Sequence, residues 1–121
     1  MIGYDELLLL LRGVTEGAFD AVVACEIDIE DCREPSVLLA LGRAHATGTS
    51  GNREFAVTLL LRALELSNSL TLRDAAVYGL ADAGRPDLAR MKLIEFAHGS
   101  RDEWERNFYL NTAKNPRFTA D

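Results

Sequence analysis

The 121-residue chain holds two cysteines, two histidines, three prolines and a single tryptophan, and each scarcity removes a class of protein. Two cysteines cannot make the disulfide framework of a small secreted scaffold. No basic segment precedes an apolar stretch at the start, so Cys25 and Cys32 read as free thiols in a reducing, cytoplasmic setting. His45 and His98 form no His-Glu pair and no H-E-x-x-H array. Each lies near an expected helix C-terminus, where the helix dipole favours a cation. A Cys25–His45–Asp28 triad can be written on paper, but nothing local activates Cys25. Gly48-Thr-Ser-Gly51 lacks the lysine and the preceding strand of a phosphate loop, and reads as a turn. The sequence therefore predicts no catalytic, metal-binding or cofactor-binding residues. The longest apolar runs, such as residues 7–11 and 37–41, are five residues, against the ~18 that cross a bilayer. No membrane partner is expected.

What is present is a packed domain with its acidity at one end. Hydrophobic residues make up 48% of the chain, enough for a core, and the length fits one domain. The net charge of −6 speaks against a nucleic-acid partner, which requires a basic face. Residues 1–34 carry nine acids against two bases (−7), and residues 35–121 carry ten acids against eleven bases (+1). Five acids, Glu26, Asp28, Glu30, Asp31 and Glu34, crowd into nine positions. This stretch lacks the glycine and terminal glutamate of a calcium loop. It reads either as a solvated connection or as a surface that steers a basic partner.

Breakers cut the chain into helix-sized pieces. Segments 4–12 and 15–25 precede the acidic connection, and Pro35 suits the first turn of a helix over 35–47. Asn52 is placed to cap a helix running to about 67, and Thr71 a helix that stops at Gly84. In that helix Asp74 would face the positive end of the dipole. Pro86 opens the next, which ends near His98-Gly99. Ser100-Arg-Asp-Glu103 spells a capping box for a last helix over 101–114. Pro116 ends it, leaving residues 115–121 as a frayed tail. Phe55, Ala56, Leu59, Leu60, Ala63 and Leu64 form one helical stripe. Leu72, Ala75, Ala76, Gly79, Leu80 and Ala83 form another, and Ala89, Leu93, Phe96 and Ala97 line a third arc. Alternating patterns are confined to Ile27 and Ile29, too short for a sheet. The prediction is all-α, with six or seven short helices.

Helix pairs recur. A shift of 39 positions lays Ala40-Leu41 on Gly79-Leu80 and Ala44 on Ala83. Gly42 and Gly79 each interrupt a helix, at about 0.5–1 kcal/mol relative to alanine, which close approach of a neighbouring helix explains. Over residues 72–89 the chain resembles a HEAT-type repeat, with Arg73, Ala75, Ala76, Leu80, Gly84 and Asp87 at the positions that family favours. The preceding pair, through Leu41-Gly42, His45, Ala56, Leu60 and Ala63, also resembles a tetratricopeptide repeat, although its aromatic positions are not kept and its turn is long. The resemblance implies stacked antiparallel helix pairs in a small α-solenoid and no chemistry. A compact helical bundle is the alternative.

Some HEAT-like proteins excise alkylated bases through an arginine-rich concave face. Arg43, Arg53, Arg62, Arg73, Arg85 and Arg90 do fall on the middle helices, but Glu54, Glu65, Asp74, Asp82 and Asp87 lie among them. Mixed, solvated faces account for this pattern better. Four of the nine aromatics lie in the last eighteen residues, with Trp104, Phe108 and Asn111 at i, i+4 and i+7. Trp104 and Phe108 are expected either to close the end of the preceding layer or to form a partner-binding ridge. These features predict a non-enzymatic protein-binding module: an acidic inhibitor or immunity-type protein for a basic toxin or nuclease, or else a regulatory adaptor or scaffold. The residues expected to carry binding are Glu26, Asp28, Glu30, Asp31, Glu34, Trp104 and Phe108.

Overall fold

Sequence punctuation and apolar spacing set the elements of the computed structural model, which describes residues 34–47 and 52–119. Helix α1 spans Pro35–Thr47, α2 Arg53–Leu66, α3 Leu70–Asp82, α4 Pro86–Gly99, α5 Glu103–Ala113 and α6 Pro116–Thr119. Among the described residues there is no strand, and the protein is all-α. No helix there is long and apolar enough to cross a membrane. The segments 4–12 and 15–25, the two cysteines, and Gly48 to Gly51 lie outside the described residues.

Each boundary has a local cause. Asn52, in extended conformation, accepts a hydrogen bond from the Phe55 amide at 3.1 Å and starts α2. Gly84 takes φ +86°, the left-handed turn that ends α3 at least strain for glycine. Pro86 occupies the first turn of α4, where a missing N–H leaves nothing unsatisfied.

Three expectations change. Ser69, not Thr71, caps α3, its Oγ accepting from the Leu72 amide at 3.4 Å. The apolar Leu70 enters the first turn ahead of Thr71, which hides the start from a pattern search. Asp74 consequently falls in the second turn, and partial burial raises its pKa from the ordinary carboxylate value. The capping box at Ser100 does not form. Asp102 accepts from the Trp104 amide at 2.9 Å and starts α5, because it already stands adjacent to the first helical residue. The expected frayed tail is helical over Pro116–Thr119, with Phe118 2% exposed. Its ring packs on Tyr78 at 4.9 Å, and Arg117 pairs with Asp82 while lying 5.1 Å over the same tyrosine.

Helices pack mainly on their sequence neighbours, with α1 also against α3 and α6 against α4. The core joins Leu60 and Leu64 of α2, Ala76, Val77 and Leu80 of α3, Ala89, Leu93 and Ala97 of α4, Tyr109 and Ala113 of α5, and Phe118. A satellite of Ala46, Ala56 and Ala83 lets three backbones draw together. Gly42 and Gly79 both face Leu60, so close approach is the reason for both glycines.

Candidate functional site

Helix α5 carries its aromatic residues on different faces, and they part company in burial. Tyr109 is 0% exposed and closes the core where α4 meets α5. Trp104, five positions earlier, is 66% exposed and contributes little to that closure. Phe108 lies between these extremes, half-buried against the core. Its ring stacks on Trp104 with centroids 5.7 Å apart and planes 19° from parallel. On its other side it meets Tyr109 edge-on at 5.9 Å. Trp104 is thus held outward by a ring that is itself anchored. Of the two roles expected of Trp104 and Phe108, closure of the preceding layer falls chiefly to Tyr109 instead.

Trp104 and Phe108 form one wall of an open groove of about 650 Å³, bounded by Tyr78 of α3 and by Asn107, Asn111 and Lys114. Asn107, Asn111 and Lys114 are exposed. The groove is braced from below: Asn115 donates to the Tyr78 hydroxyl at 3.3 Å, and Thr112 donates to the Phe108 carbonyl at 2.8 Å. An exposed indole beside polar amides gives apolar contact area with donors and acceptors at its rim. Asn107 extends the spacing of Trp104 and Asn111 and was legible at i+3. Lys114 continues the same spacing at the end of α5, and Tyr78 reaches the groove only through the tertiary fold.

A second groove, of about 560 Å³, lies where α2, α3 and α4 meet the start of α5. Arg73 forms its wall. The guanidinium lies 4.1 Å above the Phe96 ring, and Nη1 donates to the Tyr109 hydroxyl at 3.3 Å. That hydroxyl donates in turn to Glu105 at 3.2 Å. Burial raises the Tyr109 pKa; the Arg73 hydrogen bond and charge oppose this, and the Glu105 charge adds to it. The two grooves share no lining residue.

Of the acidic group, Glu34 is exposed and its carbonyl accepts from the Val37 and Leu38 amides at the start of α1. Glu26, Asp28, Glu30 and Asp31 lie outside the described residues. His45 does not serve as a C-terminal cation. It is 8% exposed, packs on Phe55 at 5.0 Å, and its Nδ1 accepts from the Asn52 amide at 3.3 Å. Burial lowers its pKa, and the accepting role requires the neutral ring. Among the described residues no three His, Cys, Asp or Glu side chains come close enough to hold a metal. Comparisons with protein-family models, with curated proteins and with solved structures returned no match.

Proposed function

We propose that this chain is a non-enzymatic protein-binding module, an inhibitor or immunity-type protein that neutralises a basic toxin or nuclease. The observation that carries the reading is Trp104: a large indole, 66% exposed, stacked on an anchored phenylalanine at the edge of a groove rimmed by amides. Tryptophan presented this way offers large contact area with little side-chain entropy to lose, which is why it dominates many interfaces. The acidic stretch over residues 26–34 complements it. Its charge lies in one short segment, so it steers a basic surface at long range while the indole supplies short-range anchoring. Helix pairs of HEAT-like type would serve as the scaffold for both.

The test is affinity capture from the native cell with the wild-type chain, W104A and a variant with Gln or Asn at the five acids. Recovery of a basic protein that W104A fails to retain supports the reading. In kinetic binding to that partner, the five-acid variant associates more slowly and loses most of its salt dependence. Equal recovery by wild type and W104A, with unchanged association for the five-acid variant, would overturn it.

A further inference from the structure

The groove beside Arg73 has an unusual internal charge arrangement. Its lining includes Arg73, Lys92 and Arg101 against Glu65, Glu95 and Glu105, so the formal total is zero. The acids, however, are all engaged. Glu65 pairs with Arg62 at 3.4 Å, Glu95 with Lys92 at 3.5 Å, and Glu105 accepts the Tyr109 hydroxyl. Of the cations, only Lys92 is ion-paired, and Arg73 donates to the neutral Tyr109 hydroxyl. Arg101 is exposed and has no ion pair among the described residues. Arg73 is half-buried, forms no ion pair there, and its Nε is shut off from solvent with no hydrogen-bond partner. A guanidinium taken partly out of water without an anion gives up hydration that a neutral hydroxyl and an aromatic face restore only in part. Phe96 fixes the plane of that guanidinium from one face. Phe96 adds apolar surface to the same lining.

We infer that this groove binds an oxyanion carried on an apolar body, such as an aromatic carboxylate or phosphate ester, with Arg73 and Arg101 holding the anion and Phe96 the body. Guanidinium edges suit the oxygens of carboxylate and phosphate alike, and the stacked ring leaves Arg73 little freedom to lose on binding. This site stands apart from the Trp104 groove, and neither reading depends on the other.

The inference is tested on the full ¹⁵N-labelled chain, titrated at constant ionic strength with benzoate, phenyl phosphate, inorganic phosphate and sodium chloride. The expected result is saturable movement of the Gly99, Ser100 and Arg101 amides with a ring-bearing anion, weaker with inorganic phosphate and absent with chloride. Tighter binding of benzoate identifies a carboxylate ligand, and tighter binding of phenyl phosphate a phosphate ester. R73K keeps the charge but loses the fork, and R101Q removes an exposed charge that folding does not need. Each is expected to weaken binding about tenfold. Equal shifts from chloride, no saturable shift from either ring-bearing anion, or unchanged affinity in a folded R101Q would overturn it.

Discussion

Gly42 of α1 stands so close to Leu60 of α2 that a Cβ built on it would lie 2.8 Å from the leucine Cγ. Gly79 of α3 meets the same side chain, its Cβ position 3.1 Å from both Leu60 methyl carbons. Leu60 is 0% exposed, so it has little room to withdraw. Alanine at position 42 should therefore destabilise the protein by about 1–3 kcal/mol, despite a helix-propensity gain of about 1 kcal/mol. Alanine at 79 should be milder. Gly99 is the internal control: nothing lies within 4 Å of its Cβ position, and G99A should be neutral or slightly stabilising. Urea midpoints of the three variants check the order, and a G42A as stable as wild type would refute the close-packing account.

Trp104 and Tyr109 of α5 separate surface from stability. W104A should stay within about 0.5 kcal/mol of wild type, as befits an exposed side chain. Y109A should lose about 3–5 kcal/mol by opening a cavity in the core. Because Trp104 is the only tryptophan, its fluorescence reports the ridge directly. Emission should be that of a solvated indole, readily quenched by acrylamide. A blue-shifted, protected signal from the chain alone would contradict the placement.

His45 makes stability depend on pH. Its folded-state pKa is below the ordinary value because burial opposes the charged ring. The unfolded chain therefore takes up the proton first as pH falls. The contribution is complete above about pH 6.5 and is lost as pH drops through that value towards the folded-state pKa. Protonation also places a hydrogen on the Nδ1 that accepts from Asn52. Denaturation midpoints at about pH 7.5 and about pH 5.5 should differ in wild type, and H45Q should remove most of the difference.

The short α6 should behave as part of the core. F118A should cost about 3 kcal/mol, since the ring is 2% exposed and packs on Tyr78. D82N, which breaks the exposed pair with Arg117, should cost no more than about 1 kcal/mol and less at high salt. Thermal melts of both variants suffice. An F118A with wild-type melting would restore the frayed-tail expectation.

What could be read in advance follows from range. Asn52, Gly84 and Pro86 announce their turns because a cap, a positive φ and a fixed φ are properties of one residue and its immediate neighbours. The stripe through Ala56, Leu59, Leu60, Ala63 and Leu64 is buried as its spacing requires. Ser69 and Asp102 were missed where two capping residues competed within three positions. Trp104 was legible as a site candidate, but its outward placement was not.

By itself the sequence determined the all-α class, most helix limits and the concentration of acid before position 35. Each depends on local chemistry, on apolar periodicity or on simple counting. Tertiary structure alone decided that Tyr109 rather than Trp104 fills the core, that Arg73 lies on Phe96, and that Phe118 returns to Tyr78. Those outcomes depend on which faces of separate helices meet, and spacing along a single helix does not contain that information.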